Sequence, residues 1–164
     1  YKRLDEGWEI QEEYEKFVKN VVLPFLGLQE AMVQKFPTFR VMLTNNVAIV
    51  VKHHDTDHLH KHPDGEINFI MGLTDMYESN TVHVEKMPRL GEFEDITLKA
   101  GETICFNGNK CDHYNEINKT GNTRVSFDFR ILPLNYYNKN YDKTSASTNT
   151  KYIEGCYYKR IKLD

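Results

Sequence analysis

The spacing of apolar positions changes at Pro37. Before it, Trp8, Ile10, Tyr14, Phe17, Val18, Val21 and Val22 recur three to four residues apart, with Glu and Lys between them. That period marks an amphipathic helix. Pro24 lacks an N–H and crowds the preceding turn. Residues 7–36 are therefore predicted as two helices, the second running from about Phe25 to Lys35 and stopped by Pro37. Beyond Pro37 the segments shorten to strand length. Phe39–Thr44, the β-branched run Val47–Val51, Glu66–Leu73, Thr81–Val84, Ile96–Lys99, Thr103–Phe106, His113–Ile117 and Thr123–Leu132 are predicted as strands. Turn-forming clusters such as Asn45-Asn46, Glu78-Ser79-Asn80 and Asn107-Gly108-Asn109 separate them. Many short strands with no helices between them indicate a sandwich or barrel.

This pattern divides one predicted domain into a helical layer (1–37), a β core (38–134) and a Tyr-, Asn-, Ser- and Thr-rich loop or lid with a C-terminal extension (135–164). A length of 164 residues suits one domain. Composition adds exclusions more than assignments. A net charge of −3 gives no electrostatic footprint for nucleic acid. The short basic run at Tyr157–Arg160 is explained by a solvated terminus. No apolar run is long enough to cross a bilayer. No signal-peptide pattern is visible, although the chain starts at Tyr1 rather than Met. Cys105, Cys111 and Cys156 form no CxxC. They read as free thiols in a reducing, cytoplasmic setting, with Cys111 a packing residue more than a ligand.

Chemistry concentrates in His53–Asn68, HHDTDHLHKHPDGEIN, which holds five of the seven histidines. Imidazole and carboxylate together suit divalent transition metals. His53 and Asp55 form an H-x-D pair at the end of a predicted strand. There, residues i and i+2 share a face. His113, at the start of a later strand, is the best distant third ligand, and His83 reads as structural. Two His and one carboxylate leave coordination positions open, as the facial triad of non-haem iron oxygenases requires. On the next strand Arg124, Ser126, Asp128 and Arg130 alternate with Val125, Phe127, Phe129 and Ile131. The apolar face needs a cover, which the helices can supply. The polar face looks into a wet pocket or out to solvent. An Arg inside a barrel needs an anion, and its planar fork fits a carboxylate. Ser126 offers a further donor. Asp128 is expected to serve Arg130, its i+2 neighbour. The bland alternative is a solvated face on which Arg124 pairs with an acid such as Glu116.

H-x-D, the later histidine and R-x-S on the following strand together resemble the Fe(II)/2-oxoglutarate-dependent oxygenases of the double-stranded β-helix fold. HHDTDHLHKHPDGEINFIMGLT, NTVHVE, GETICFNGNKCDHYNEIN and TGNTRVSFDFRILP are similar to the small group typified by the streptomycin-biosynthesis protein StrG. The resemblance runs from about residue 39 to the end and departs from the group over Asp57–His62, which has more histidines. It implies a mainly β jelly roll (cupin-like), with the N-terminal helices packed outside one sheet. It implies Fe(II) on His53, Asp55 and His113, 2-oxoglutarate as cosubstrate anchored by Arg124 and Ser126, and dioxygen as oxidant. The expected substrate is a small molecule, with no nucleic-acid or membrane partner; oligomeric state is not legible. Asn68 is expected to face the pocket and position cosubstrate or substrate. Glu66 is expected to accept from a ligand histidine.

Two alternatives stay open. His60-x-His62-x-x-x-Glu66 resembles the first cupin motif. With His113 it would bind a metal for a dioxygenase or isomerase that uses no 2-oxoglutarate. A non-catalytic jelly-roll module binding a small ligand is the other.

Overall fold

The computed structural model describes residues 9–47, 51–146 and 148–164. The strand expected over Val47–Val51 falls largely outside them. Helix α1 (Glu9–Phe17) continues through a π turn, Val18–Val22, into a last turn, Leu23–Phe25. Pro24 does not split it, because the π turn widens the hydrogen-bond ladder just before the proline, with Leu23 N–H donating to Val18 O. Gly27 then stops the helix with φ +66°. Leu28 N–H donates to Leu23 O (2.9 Å) and Gly27 N–H to Pro24 O (3.0 Å). This 6→1 and 5→2 pair is a Schellman cap, which needs a left-handed residue that only Gly supplies without cost.

The predicted second helix does not form. Glu30–Gln34 is strand β1, lying between β8 and β9. Ala31 and Val33 join Val18, Val22 and Leu23 under the helix, while Met32 packs with Leu132, Tyr152 and Tyr158. A segment buried on both faces and paired on both edges overrides the helix preference of Glu, Ala, Met and Gln.

The remaining strands are β2 (Thr38–Met42), β3 (Ile67–Gly72), β4 (His83–Glu85), β5 (Phe93–Asp95), β6 (Thr103–Phe106), β7 (His113–Tyr114), β8 (Arg124–Pro133) and β9 (Tyr158–Lys162). They make two antiparallel sheets. The larger runs β6-β3-β8-β1-β9, with β2 also on β8; the smaller runs β5-β4-β7. Ten-residue β8 is the spine. Its one edge pairs with β3 and its other edge with β2 and then β1. The strand expected at Ile96–Lys99 lies earlier, at Phe93–Asp95, and Leu98 makes only an isolated bridge to Met76.

Helix α1 covers the outer face of the larger sheet, as the alternation of β8 required. Phe69, Phe129 and Ile131 are buried there, with Tyr14 edge-on to Phe129 at 5.3 Å. Each large apolar side chain so buried contributes roughly 1.5–3 kcal/mol. A second cluster, with Ile70, Val82, Val84, Ile96 and Leu98, fills the space between the sheets. Cys111 belongs to it, as a packing residue.

The C-terminal stretch is more than a loop and a solvated end. Strand β9 completes the larger sheet, and Tyr158 is fully buried while Lys159 and Arg160 face solvent. Tyr152 is also buried, and its hydroxyl donates to His60 O (3.0 Å). Among the described residues no helix is long and apolar enough to cross a membrane.

Candidate metal centre

His53 and His113 face each other across a two-way antiparallel bridge, with N–H···O distances of 3.2 and 2.8 Å. That bridge sets the two imidazoles side by side, with ring centroids 4.5 Å apart. Asp55 is held by its backbone, its N–H donating to Gly108 O (2.9 Å) and its carbonyl accepting from His62 N–H (2.9 Å). Asp55 Oδ1 lies 4.0 Å from His53 Nε2 and 3.9 Å from His113 Nε2. All three side chains are buried, and one ligand atom from each lies within 4.8 Å of the others.

Each ring nitrogen has a defined job. His53 Nδ1 donates to Val51 O (2.8 Å) and His113 Nδ1 to Cys111 O (3.2 Å). Both acceptors are carbonyls, so the proton sits on Nδ1 and the Nε2 lone pairs converge on Asp55. Burial lowers the pKa of His53 and takes that of His113 down to about 4. Both are thus neutral near pH 7, the form a metal needs. Burial alone would raise Asp55, but Arg130, His62 and His113 hold it well below the usual carboxylate range.

Asn68, on β3, donates from Nδ2 to Asp55 Oδ2 (2.6 Å) and leaves its buried Oδ1 without a partner among the described residues. Gly108 makes room for it. A Cβ at 108 would stand 2.8 Å from Asn68 Nδ2 and 2.7 Å from the Phe106 ring. Phe106 in turn meets His113 edge-on at 5.7 Å.

Arg124 is fully buried on β8, so of the two orientations left open for the polar face this end takes the inward one. Its Nη1 donates to Asn80 O (2.9 Å), while among the described residues Nε and Nη2 find no partner, nor does Ser126 Oγ. Burial, then the neighbouring Arg40 charge, lowers its pKa to about 10, partly offset by Asp128. Among the described residues no carboxylate lies within ion-pair distance of it, and Glu116 is exposed. One cavity is lined by Arg124 together with His53, Asn68 and His113.

Asp128 reaches Arg130, its expected partner, at ion-pair distance (3.8 Å), but its hydrogen bonds go elsewhere. Its carboxylate pairs with Arg40 through two hydrogen bonds, because the β2–β8 register sets Arg40 diagonally across from it. Arg130 instead donates from Nε to Asp55 Oδ2 (2.7 Å). Its role was not legible, since its partner lies 75 positions away. Glu66 accepts from His62 Nδ1 (2.7 Å) and from the Tyr158 hydroxyl, not from either His53 or His113.

His62, Glu66 and Asp55 form a second buried group, but His60 and His113 do not join it. His60 stacks on the His53 ring at 4.1 Å and bonds Asp57 through Nδ1 (2.9 Å). The set His60, His62, Glu66 and His113 is therefore not brought together. His83 bonds Asp95 (2.7 Å) and stacks on Tyr114, away from the centre.

No family model matches the chain. It is 36% identical over 129 residues to the streptomycin biosynthesis protein StrG of Streptomyces griseus, a match covering 79% of this chain. The chain spans 60% of that relative's length. Among solved structures it is similar to the nickel complex of the non-heme monooxygenase ThoJ, with a TM-score of 0.59 and 16% identity over 78% of this chain and 54% of that one. It is also similar to SnoK, a non-heme alpha-ketoglutarate-dependent carbocyclase from nogalamycin biosynthesis, with a TM-score of 0.59 and 12% identity over 76% and 58%. At these identities the two solved structures show a shared fold, mainly β with antiparallel sheets.

Proposed function

We propose that this chain is an Fe(II)- and 2-oxoglutarate-dependent oxygenase acting on a small molecule, built on a double-stranded β-helix. The observation that carries the reading is Arg124. A buried guanidinium with two nitrogens unpartnered among the described residues, beside a Ser126 hydroxyl in the same state, opens on the cavity that His53 and His113 line. A buried cation without an anion is costly. A dicarboxylate resolves that cost, with one end at the metal and the other on the Arg124 fork. The name of SnoK, a neighbour in fold, carries alpha-ketoglutarate dependence, and that of StrG carries only the biosynthesis of a small molecule.

His53 Nε2, His113 Nε2 and Asp55 Oδ1 would hold the iron. With 2-oxoglutarate and dioxygen, iron in such a site supplies the oxidising chemistry, giving succinate, carbon dioxide and a hydroxylated product. The chain's own residues do the rest. The Nδ1 bonds to Val51 and Cys111 keep both imidazoles neutral and aimed. Phe106, Ile70 and Val82 give the cavity apolar walls that limit water. Asn68 Oδ1, buried and free, is placed to orient a donor group on a bound ligand.

The test is an anaerobic titration with Fe(II) and then 2-oxoglutarate. A visible metal-to-ligand charge-transfer band is expected only if 2-oxoglutarate chelates an iron with open positions. Iron binding with no such band would overturn the 2-oxoglutarate assignment.

A further inference from the structure

We propose that Arg130, acting with Asn68, confines Asp55 to metal ligation through a single oxygen. A coordination position that a chelating carboxylate would close is thereby kept open. The inference rests on the reading of His53, Asp55 and His113 as metal ligands.

A carboxylate oxygen offers two lone pairs. Both of those on Asp55 Oδ2 are taken, by Arg130 Nε at 2.7 Å and by Asn68 Nδ2 at 2.6 Å. Only Oδ1 is left facing His53 Nε2 and His113 Nε2. Arg130 is itself fixed on all sides. Its Nη1 reaches Gln34 Oε1 at 3.3 Å and Asp128 at 3.8 Å, and its Nε lies 3.8 Å from Glu66 Oε2. Glu66 is pinned by His62 and Tyr158, and Gln34 Nε2 donates to Phe36 O (2.8 Å). These anchors come from β1, β8, β9 and the residue before β3, so Arg130 cannot turn without moving the larger sheet.

The same placement accounts for the second buried group. Asp55, His62 and Glu66 have the spacing of a metal site. The Arg130 guanidinium already lies against both carboxylates, as a permanent cation. The histidine-rich run His58–His62 is thereby tied to the metal centre through Glu66 and Arg130, without supplying a ligand.

The test uses Mn(II) and counts its exchangeable waters, by water-proton relaxation and by EPR line broadening in ¹⁷O-water. Three single-atom protein ligands leave about three waters on an octahedral ion. Arg130→Met leaves Glu66 uncompensated, so Arg130→Met/Glu66→Gln is measured beside it, with buried charge balanced. In both variants Asp55 is expected to chelate, and the ion to lose roughly one of its about three waters. Arg130→Lys, which keeps one donor, is expected to restore the wild-type count. Weaker affinity with an unchanged water count would overturn the proposal and leave Arg130 as charge compensation only. A wild-type protein that takes up no Mn(II) would instead overturn the metal reading beneath it.

Discussion

His53 and His62 are both buried, both lie in the same histidine-rich stretch, and each is within reach of Asp55. Their surroundings separate them. The Nε2 of His53 converges with that of His113 on Asp55, whereas His62 spends Nδ1 on Glu66 and packs its ring on Tyr152 at 4.5 Å. His53→Ala should abolish the thermal stabilisation given by Mn(II), because a ligand that binds only the native state raises apparent stability. His62→Ala should lower the melting temperature without metal and keep the metal-induced increment. The reverse pattern would move the metal to the Asp55–His62–Glu66 group. At this scale the grouping of side chains was legible where spacing is short. H-x-D names two converging residues, and R-x-S names two side chains on one face of β8, though not which way that face looks. It was not legible for Arg130 or Gly108. Their partners are set by sheet register, and no local pattern encodes a contact 75 residues away.

Elements were legible where one face is apolar and the other polar, as in α1 and β8. They were misread where both faces are buried. Glu30–Gln34 has helix-forming residues and no alternation, because β8 and β9 flank it and apolar clusters cover it on both sides. The stop signal was present in Gly27, which ends the helix before the strand begins. Strand β9 was hidden by its basic residues, yet only Tyr158 and Ile161 point inward, while Lys159 and Arg160 pair with Glu15 and Glu30 at the surface. Through the Tyr158 hydroxyl this strand reaches Glu66 and thus the Arg130 network. Tyr158→Phe removes one donor from a buried carboxylate and leaves the ring packing intact. The expected cost is about 1–3 kcal/mol, the price of an unmet buried acceptor, read as a lower urea midpoint with an unchanged slope. A change within a few tenths of a kcal/mol would mean that Glu66 finds another partner.

Across the whole molecule the candidate site is split between the sheets. His113 belongs to the smaller one and His53 is bridged to it, Asn68, Arg124 and Arg130 belong to the larger, and Asp55 lies in the connection between them. A metal on the triad ties the smaller sheet to the connection. A dicarboxylate reaching from that metal to Arg124 would extend the tie to β8, the spine of the larger sheet. Two ligand increments should therefore be separable in thermal unfolding. Each adds RT ln(1 + [L]/Kd), about 2.7 kcal/mol at a hundredfold excess over Kd. Wild-type protein should gain one increment with Mn(II) and a second when 2-oxoglutarate is added. Arg124→Leu should keep the first and lose most of the second. Removing one partner of a buried charge pair costs on the order of 3–5 kcal/mol, enough to weaken 2-oxoglutarate by more than a hundredfold. The leucine also removes an unpaired buried charge, so the ligand-free variant is expected to be no less stable than the wild type. Retention of the second increment in Arg124→Leu would place the distal carboxylate elsewhere, with Arg40 and Arg130 as the other arginines on the cavity wall.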